Sequence, residues 1–347
     1  MAELPIQDDR LGKVSHLRKA LLTPELGAGI GAIMLWIYFA VVAGGQGFLT
    51  ARGTASYLQV AAELGILAVG VSLLMIANEF DLSIGSVIGA SGMIIAVLSV
   101  EYGWNLWAAI AVSGVIAMLI GLLNGLIVRW TRLPSFIVTL ATLFIVRGAT
   151  IALTRKVTNR TQIGGVQNTD GYASADKIFG HEFSAFGTTW AVSILWWLGL
   201  VVIATWILQR HRFGNAIFAV GGNELAARNS GVNVNRVKIT LFIGTALCGW
   251  LLAVIQVINT TGADVLRGNQ RELYAIMVVV IGGTLMTGGY GSAFGAAIGA
   301  LIFGMVQQGM VYARVDADWF QVFMGSMVLF AVILNETVRK RAMGGRQ

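Results

Sequence analysis

The sequence has little charge, one cysteine and three prolines. Charged residues make up 12% of 347 positions while 56% are hydrophobic; a soluble domain carries about 25% charge. Most of the chain must therefore face lipid or other buried helices, which excludes an ordinary soluble domain and predicts a polytopic membrane protein. The lone Cys248 lies inside an apolar run, so no intrachain disulfide can form and a packing role remains. Three prolines beside 44 glycines are neither collagen-like nor a flexible linker. Gly85 with Gly89, and Gly291 with Gly295 and Gly299, have the spacing by which membrane helices pack closely. The three histidines, at 16, 181 and 211, all fall outside the apolar runs. Coupled ion carriers place acidic or histidine groups within their spans, so an ion-coupled carrier and a metal site both lose support.

The net charge of +7 could suggest nucleic acid, but Lys and Arg sit in short segments between apolar runs, with no basic run and no interleaved aromatics. Topology determination accounts for them, with membrane lipid rather than nucleic acid as the partner. Apolar windows of about 20 residues fall near 26–43, 58–77, 83–100, 105–129, 134–153, 188–208, 236–258, 272–286, 291–312 and 319–338. The expected fold class is all-α, with about ten transmembrane helices including broken or re-entrant segments. A tail over 1–25 carries Asp8, Asp9, Arg10, Lys13, Arg18 and Lys19, so the first run reads as a retained anchor rather than a cleaved signal. A single membrane domain spans 26–338, and a second tail covers 339–347. With both termini in the cytoplasm, 15 Lys or Arg fall on the inner side and 8 on the outer, as the positive-inside rule requires.

Residues 75–91 and 281–297, laid over each other at an offset of 206, match at Gly85/Gly291, Ser86/Ser292, Gly89/Gly295 and Ala90/Ala296. Each has an apolar helix, a polar or glycine-rich break and a glycine-spaced helix. Interrupted segments at corresponding places in two halves point to a transport pathway, because irregular backbone at membrane depth survives only where protein or water satisfies it. The first break carries Asn78, Glu79, Asp81, Ser83 and Ser86. Asp81 also suits an N-cap for the helix that follows.

Between two long apolar runs lies Gly221-Gly222-Asn223-Glu224-Leu225-Ala226-Ala227-Arg228-Asn229-Ser230-Gly231, flanked by Arg210, Arg212, Arg236 and Lys238. A short polar helix on the basic side, with glycines for tight turns at either end, suits a soluble partner that pushes on it. With Glu79–Ser86, Pro134–Thr142 followed by Arg147-Gly148, Gly214–Gly231, and Gly282–Thr284 through Gly289–Ser292, the chain resembles the permease subunit of ribose, xylose and arabinose type ABC importers. The resemblance implies a homodimer around one pathway in the bacterial inner membrane. It also implies a cytoplasmic ATPase docked on a coupling helix within 210–235, through Gly221, Gly222, Asn223, Glu224, Ala226, Ala227, Arg228 and Gly231, and an external sugar-binding protein. Relatives often have small residues where this chain has Glu79-Phe80. No Gly-x-x-x-x-Gly-Lys-Ser/Thr loop is present, so ATP and Mg belong to the partner, and this chain, a translocation subunit, is expected to bind no cofactor and catalyse no reaction itself.

Candidate pathway residues are Asn78, Asp81, Ser83, Ser86, Phe136, Thr139, Thr142 and Thr284. Phe136, Thr139 and Leu143 fall near one helix face. Threonines within membrane helices commonly bond the i−4 carbonyl or a neighbouring helix; otherwise they offer a weakly polar wall along which a sugar slips. Arg147, the one basic residue well inside a span, either snorkels or pairs with Glu63, Glu79 or Asp81. The long segment 155–187 is expected on the outer face, towards the binding protein, or as a spacer. The substrate expected is a monosaccharide or related polyol. A nucleoside or branched-chain amino acid on the same machine is the alternative, and an ion-coupled carrier a more distant one.

Overall fold

The computed structural model describes the backbone of residues 24–344 and the side chains of 25–333. The tail expected over 1–25 lies almost wholly outside the described residues, and the side chains of the tail over 339–347 also lie outside them. Thirteen α-helices follow in order: α1 Pro24–Ala43, α2 Ala51–Ile76, α3 Ile84–Ala96, α4 Leu106–Thr131, α5 Ser135–Thr158, α6 Tyr172–Phe179, α7 Ser193–Arg210, α8 Arg212–Gly222, α9 Glu224–Asn229, α10 Val234–Asn259, α11 Arg271–Ile281, α12 Ala293–Tyr312 and α13 Trp319–Gly344. A wider turn over Val97–Glu101 extends α3.

Polar side chains at the ends of the apolar runs set several of these boundaries. Thr50 accepts from the Gly53 amide to start α2, Asn105 accepts from Trp107 to start α4, and Ser292 accepts from Gly295 to start α12. Each satisfies an amide that the first helical turn leaves without a partner. Among the described residues, eight helices are long and apolar enough to cross a membrane. All ten expected runs contain a helix, and one of these helices is short. The run 272–286 holds α11, whose 11 residues reach about 16 Å, half of a ~30 Å hydrocarbon core. The run 319–338 lies within α13, a helix of 26 residues.

The core is built on α2, α3, α10 and α12. In their most apolar stretches α2 is 78% buried and α10 72%, against 17% for both α1 and α5. The glycine spacings act as expected. A Cβ on Gly89 would lie 2.6 Å from the Val265 carbonyl oxygen, and one on Gly299 1.9 Å from that of Val278, so a larger residue would force the backbones apart.

The two matching breaks lie at residues 77–83, between α2 and α3, and 282–292, between α11 and α12, and they touch. The Gly289 amide donates to the Ile76 carbonyl at 2.8 Å, and Gly288 packs against Asn78. A third interruption, residues 260–270, precedes α11; Thr261 and Gln270 there take φ of +54° and +64°. It lies along α3, with the Gly268 carbonyl 2.6 Å from where a Gly85 Cβ would be. It falls between the apolar runs 236–258 and 272–286, where the sequence expects only a connection.

The segment 155–187 is folded, which removes the spacer alternative. Strand β1 (Gln162–Gly164) pairs antiparallel with β4 (Gly262–Asp264), while β2 (Glu182–Ala185) and β3 (Thr188–Ala191) form a hairpin. These four short strands are the only departure from an all-α chain among the described residues. Ile163, Val166, Ala175 and Phe179 are buried, and Phe179 stacks on Trp196 at 5.5 Å. A deletion of 164–180 would remove part of the core, so it cannot isolate a docking role for this face.

Candidate functional site

The loops assigned to the inner side gather around one cleft of about 1030 Å³, whose lining includes Asn78, Glu79, Phe136, Glu224, Arg228 and Lys238. Thr287 of the second break also reaches it. Four segments far apart in sequence therefore share one end of the molecule, as the charge distribution predicts.

The docking candidate is two helices rather than one. Asn223 separates them in an extended conformation (φ −158°, ψ 105°), and its side chain accepts from the Ala226 amide to start α9. Gly231 follows with φ +83°, a left-handed conformation in which a side chain is strained. Ala227 faces inward and is buried, whereas Leu225 is 74% exposed. Gly221 is wedged at the junction of the two breaks: a Cβ there would meet the Ile76 carbonyl oxygen at 1.7 Å and the Gly289 nitrogen at 2.7 Å. A Cβ on Gly222 beside it would meet nothing within 4 Å.

Four charged side chains connect α9 to the first break. Lys238 Nζ lies 2.5 Å from Glu79 Oε1 and 2.7 Å from Glu224 Oε2. Arg228 Nη2 lies 2.7 Å from Glu224 Oε1. Partial burial would raise the Glu224 pKa, but hydrogen bonds from Lys238 and Arg228 and their positive charge outweigh it and hold the carboxyl below its ordinary value. Lys238 and Glu79 escaped the coupling assignment because Lys238 counts in the sequence only as a loop cation. Ten residues separate it from Arg228 along the chain, and only the turn after α9 brings them together.

The first break is fastened to α4 and α5 by side chains. The Phe80 amide donates to Ser135 Oγ at 2.9 Å and the Leu82 amide to Thr139 Oγ1 at 3.1 Å. Asn124 Nδ2 donates to Ser83 Oγ at 2.9 Å, and Thr142 Oγ1 donates to Asn124 Oδ1 at 2.7 Å. Ser86 Oγ donates to the Leu143 carbonyl at 2.8 Å. These bonds supply partners to backbone that has left the helix, as burial requires.

Of the eight pathway candidates, Asn78 and Phe136 face the cleft. Asp81, Ser83, Ser86, Thr139 and Thr284 are buried, and Thr142 is half-buried. Thr139 and Thr142 also donate to the carbonyls of Ser135 and Val138, four residues back. They fasten the break rather than line open space. Phe136, half exposed, parts from the buried Thr139 and Leu143. Asp81 is not the N-cap: that position is Ser83, and Asp81 Oδ1 accepts from the Ser83 amide and hydroxyl at 2.8 and 2.6 Å, closing a turn just before the helix. Thr284 packs against Gly291. Arg147 pairs with none of the three carboxylates expected. Its Nη2 lies 3.7 Å from Glu272 Oε1 at the start of α11; Glu63 takes Arg271 at 3.8 Å, and Glu79 is held by Lys238.

Asn124, fully buried in α4, was missed; an Asn within an apolar run was the available signal. Asn124→Leu is expected to lower the melting temperature. It removes the two hydrogen bonds of Asn124, while the Thr142 hydroxyl keeps the Val138 carbonyl and the Ser83 hydroxyl keeps Asp81, so the loss is about 0.5–1.5 kcal/mol for each bond. Thermal unfolding in detergent checks this, and an unchanged midpoint would show that the fastening contributes nothing.

The chain matches the family described as the permease component of the branched-chain amino acid transport system over residues 53–332. It is 33% identical to the ribose import permease protein RbsC of Escherichia coli over 309 residues, covering 87% of this chain and 92% of the relative. The xylose transport system permease protein XylH of Escherichia coli is also 33% identical, covering 91% and 92%. The fructose import permease protein FrcC of Rhizobium meliloti is 29% identical, covering 96% and 90%. No solved structure matches the chain. With eight apolar helices, two touching breaks and full-length similarity to import permeases, the chain belongs to this family of membrane-embedded permease subunits.

Proposed function

We propose that this permease carries a monosaccharide or related polyol across the bacterial inner membrane as the translocation subunit of an ATP-driven importer, with both termini cytoplasmic. Two copies form the pathway, and an ATPase that holds ATP and Mg docks on α8 and α9 of each. A sugar-binding protein delivers substrate to the outer face. The observation that carries the coupling is the contact of α8 and α9 with the breaks: Gly221 touches Ile76 and Gly289, while Glu224 reaches Glu79 through Lys238. A partner that moves α9 therefore moves backbone between spans. Leu225, 74% exposed on that short helix, is the apolar anchor a protein partner would cover. The sparse burial of α5 leaves one face free for a second copy.

Sugar is favoured over a branched-chain amino acid because the relatives matched over nine-tenths of their length are named for ribose, xylose and fructose. The family description favours the amino acid. Cells carrying the chain with its partner subunits, given a labelled panel of pentoses, hexoses, polyols and branched-chain amino acids, are expected to take up one sugar or polyol. Leu225→Asp is expected to release the ATPase and reduce that uptake by roughly tenfold or more, as loss of an interface anchor does. Uptake of an amino acid alone would overturn the sugar assignment. A Leu225→Asp variant that keeps both ATPase and uptake would overturn the docking site.

A further inference from the structure

We propose that Lys238 is a positioning residue for transport: its ammonium, clamped between Glu79 of the first break and Glu224 of α9, carries displacement of the docking helix to the break. The proposal rests on α9 being the ATPase dock. Lys238 stands near the start of α10, a 26-residue helix in the core. The charges run from inside to outside: the Glu79 side chain is 8% exposed, that of Lys238 17% and that of Glu224 40%. An ammonium carries three donors on a flexible stem and can hold two carboxylates at once. Without it, the two would repel across a partly buried gap.

A shift of α9 that carries Glu224 off thus draws Lys238 with it or breaks the pair. Either way Glu79 loses part of what neutralises it, and a nearly buried carboxylate responds strongly to that loss. Gly221 touches the chain at Ile76, three residues before Glu79. The docking segment therefore grips both ends of residues 76–79, of which Ala77, Asn78 and Glu79 line the cleft.

The test assembles the permease with its ATPase and binding protein in proteoliposomes and counts sugar imported per ATP hydrolysed. Lys238→Met is expected to retain the ATPase subunit and its hydrolysis while import per ATP falls about tenfold, within the roughly 5- to 150-fold range of allosteric coupling. Glu79→Gln/Lys238→Met removes the unpaired buried charge and is expected to assemble as wild type, yet to show the same fall. Lys238→Arg, which keeps the charge and can still bridge, is expected to recover most of the coupling. If Lys238→Met does not assemble, the double variant decides alone. Wild-type import per ATP in the double variant would overturn the proposal, because Lys238 would then only neutralise Glu79. Failure of the docking reading is distinguishable, since the ATPase would remain bound in Leu225→Asp.

Discussion

Replacing Gly221 with alanine is expected to abolish uptake, while the same change at Gly222 is expected to have no effect. The added Cβ at 221 would lie 1.7 Å from the Ile76 carbonyl oxygen and 2.7 Å from the Gly289 nitrogen, the two atoms of the hydrogen bond joining the breaks. Both obstacles are backbone, so no rotamer change relieves them. Overpacking together with loss of that bond costs about 2–4 kcal/mol, enough to separate α8 from the breaks. A Cβ at Gly222 meets nothing within 4 Å, and alanine favours the helix. Uptake and thermal unfolding of the pair separate a steric effect from a general one. Wild-type transport by Gly221→Ala would mean that the three segments do not meet as described.

Glu224→Arg is expected to eliminate uptake with almost no loss of stability. Glu224 is 40% exposed at its side chain, and pairs at such positions contribute only ~0–1 kcal/mol, so the melting temperature barely moves. The reversed charge, however, faces Lys238 and Arg228 and removes the carboxylate that joins α9 to the break. Membrane insertion checked beside uptake makes the two effects distinct. Survival of uptake would remove α9 from the mechanism. The folded Glu224 pKa is depressed below its ordinary 4.5, so its contribution is complete above that value and is lost as pH falls through the lower, folded one. The Glu224-dependent part of transport is therefore expected to be flat between about pH 6 and about pH 8.

The broad architecture was legible because hydropathy acts residue by residue. Long apolar windows located ten of the thirteen described helices, and the alternation of the spans placed loops 77–83, 132–134, 211–233 and 282–292 on one side, where they share a cleft. Gly231 was legible as the C-terminal end of α9 because left-handed turns depend on local residue type, whereas Gly221 and Gly222, expected to form the turn at its start, lie within α8 and Asn223 makes the N-cap instead. Local chemistry misled at Asp81, which closes a turn onto Ser83 instead of capping, while helical spacing alone does not show that Thr139 lies against the break.

What the sequence by itself determined is a membrane bundle with two interrupted segments and a short polar helix on its basic side, since each follows from composition and spacing along the chain. Partner choice was decided only by the tertiary structure. Arg147 takes Glu272 rather than a carboxylate on the first break, Lys238 bridges Glu79 to Glu224, and Asn124 ties Ser83 to Thr142. Charges and amides act over a few ångströms, and which of them come that close depends on how helices distant in sequence cross, a property no window along the chain contains.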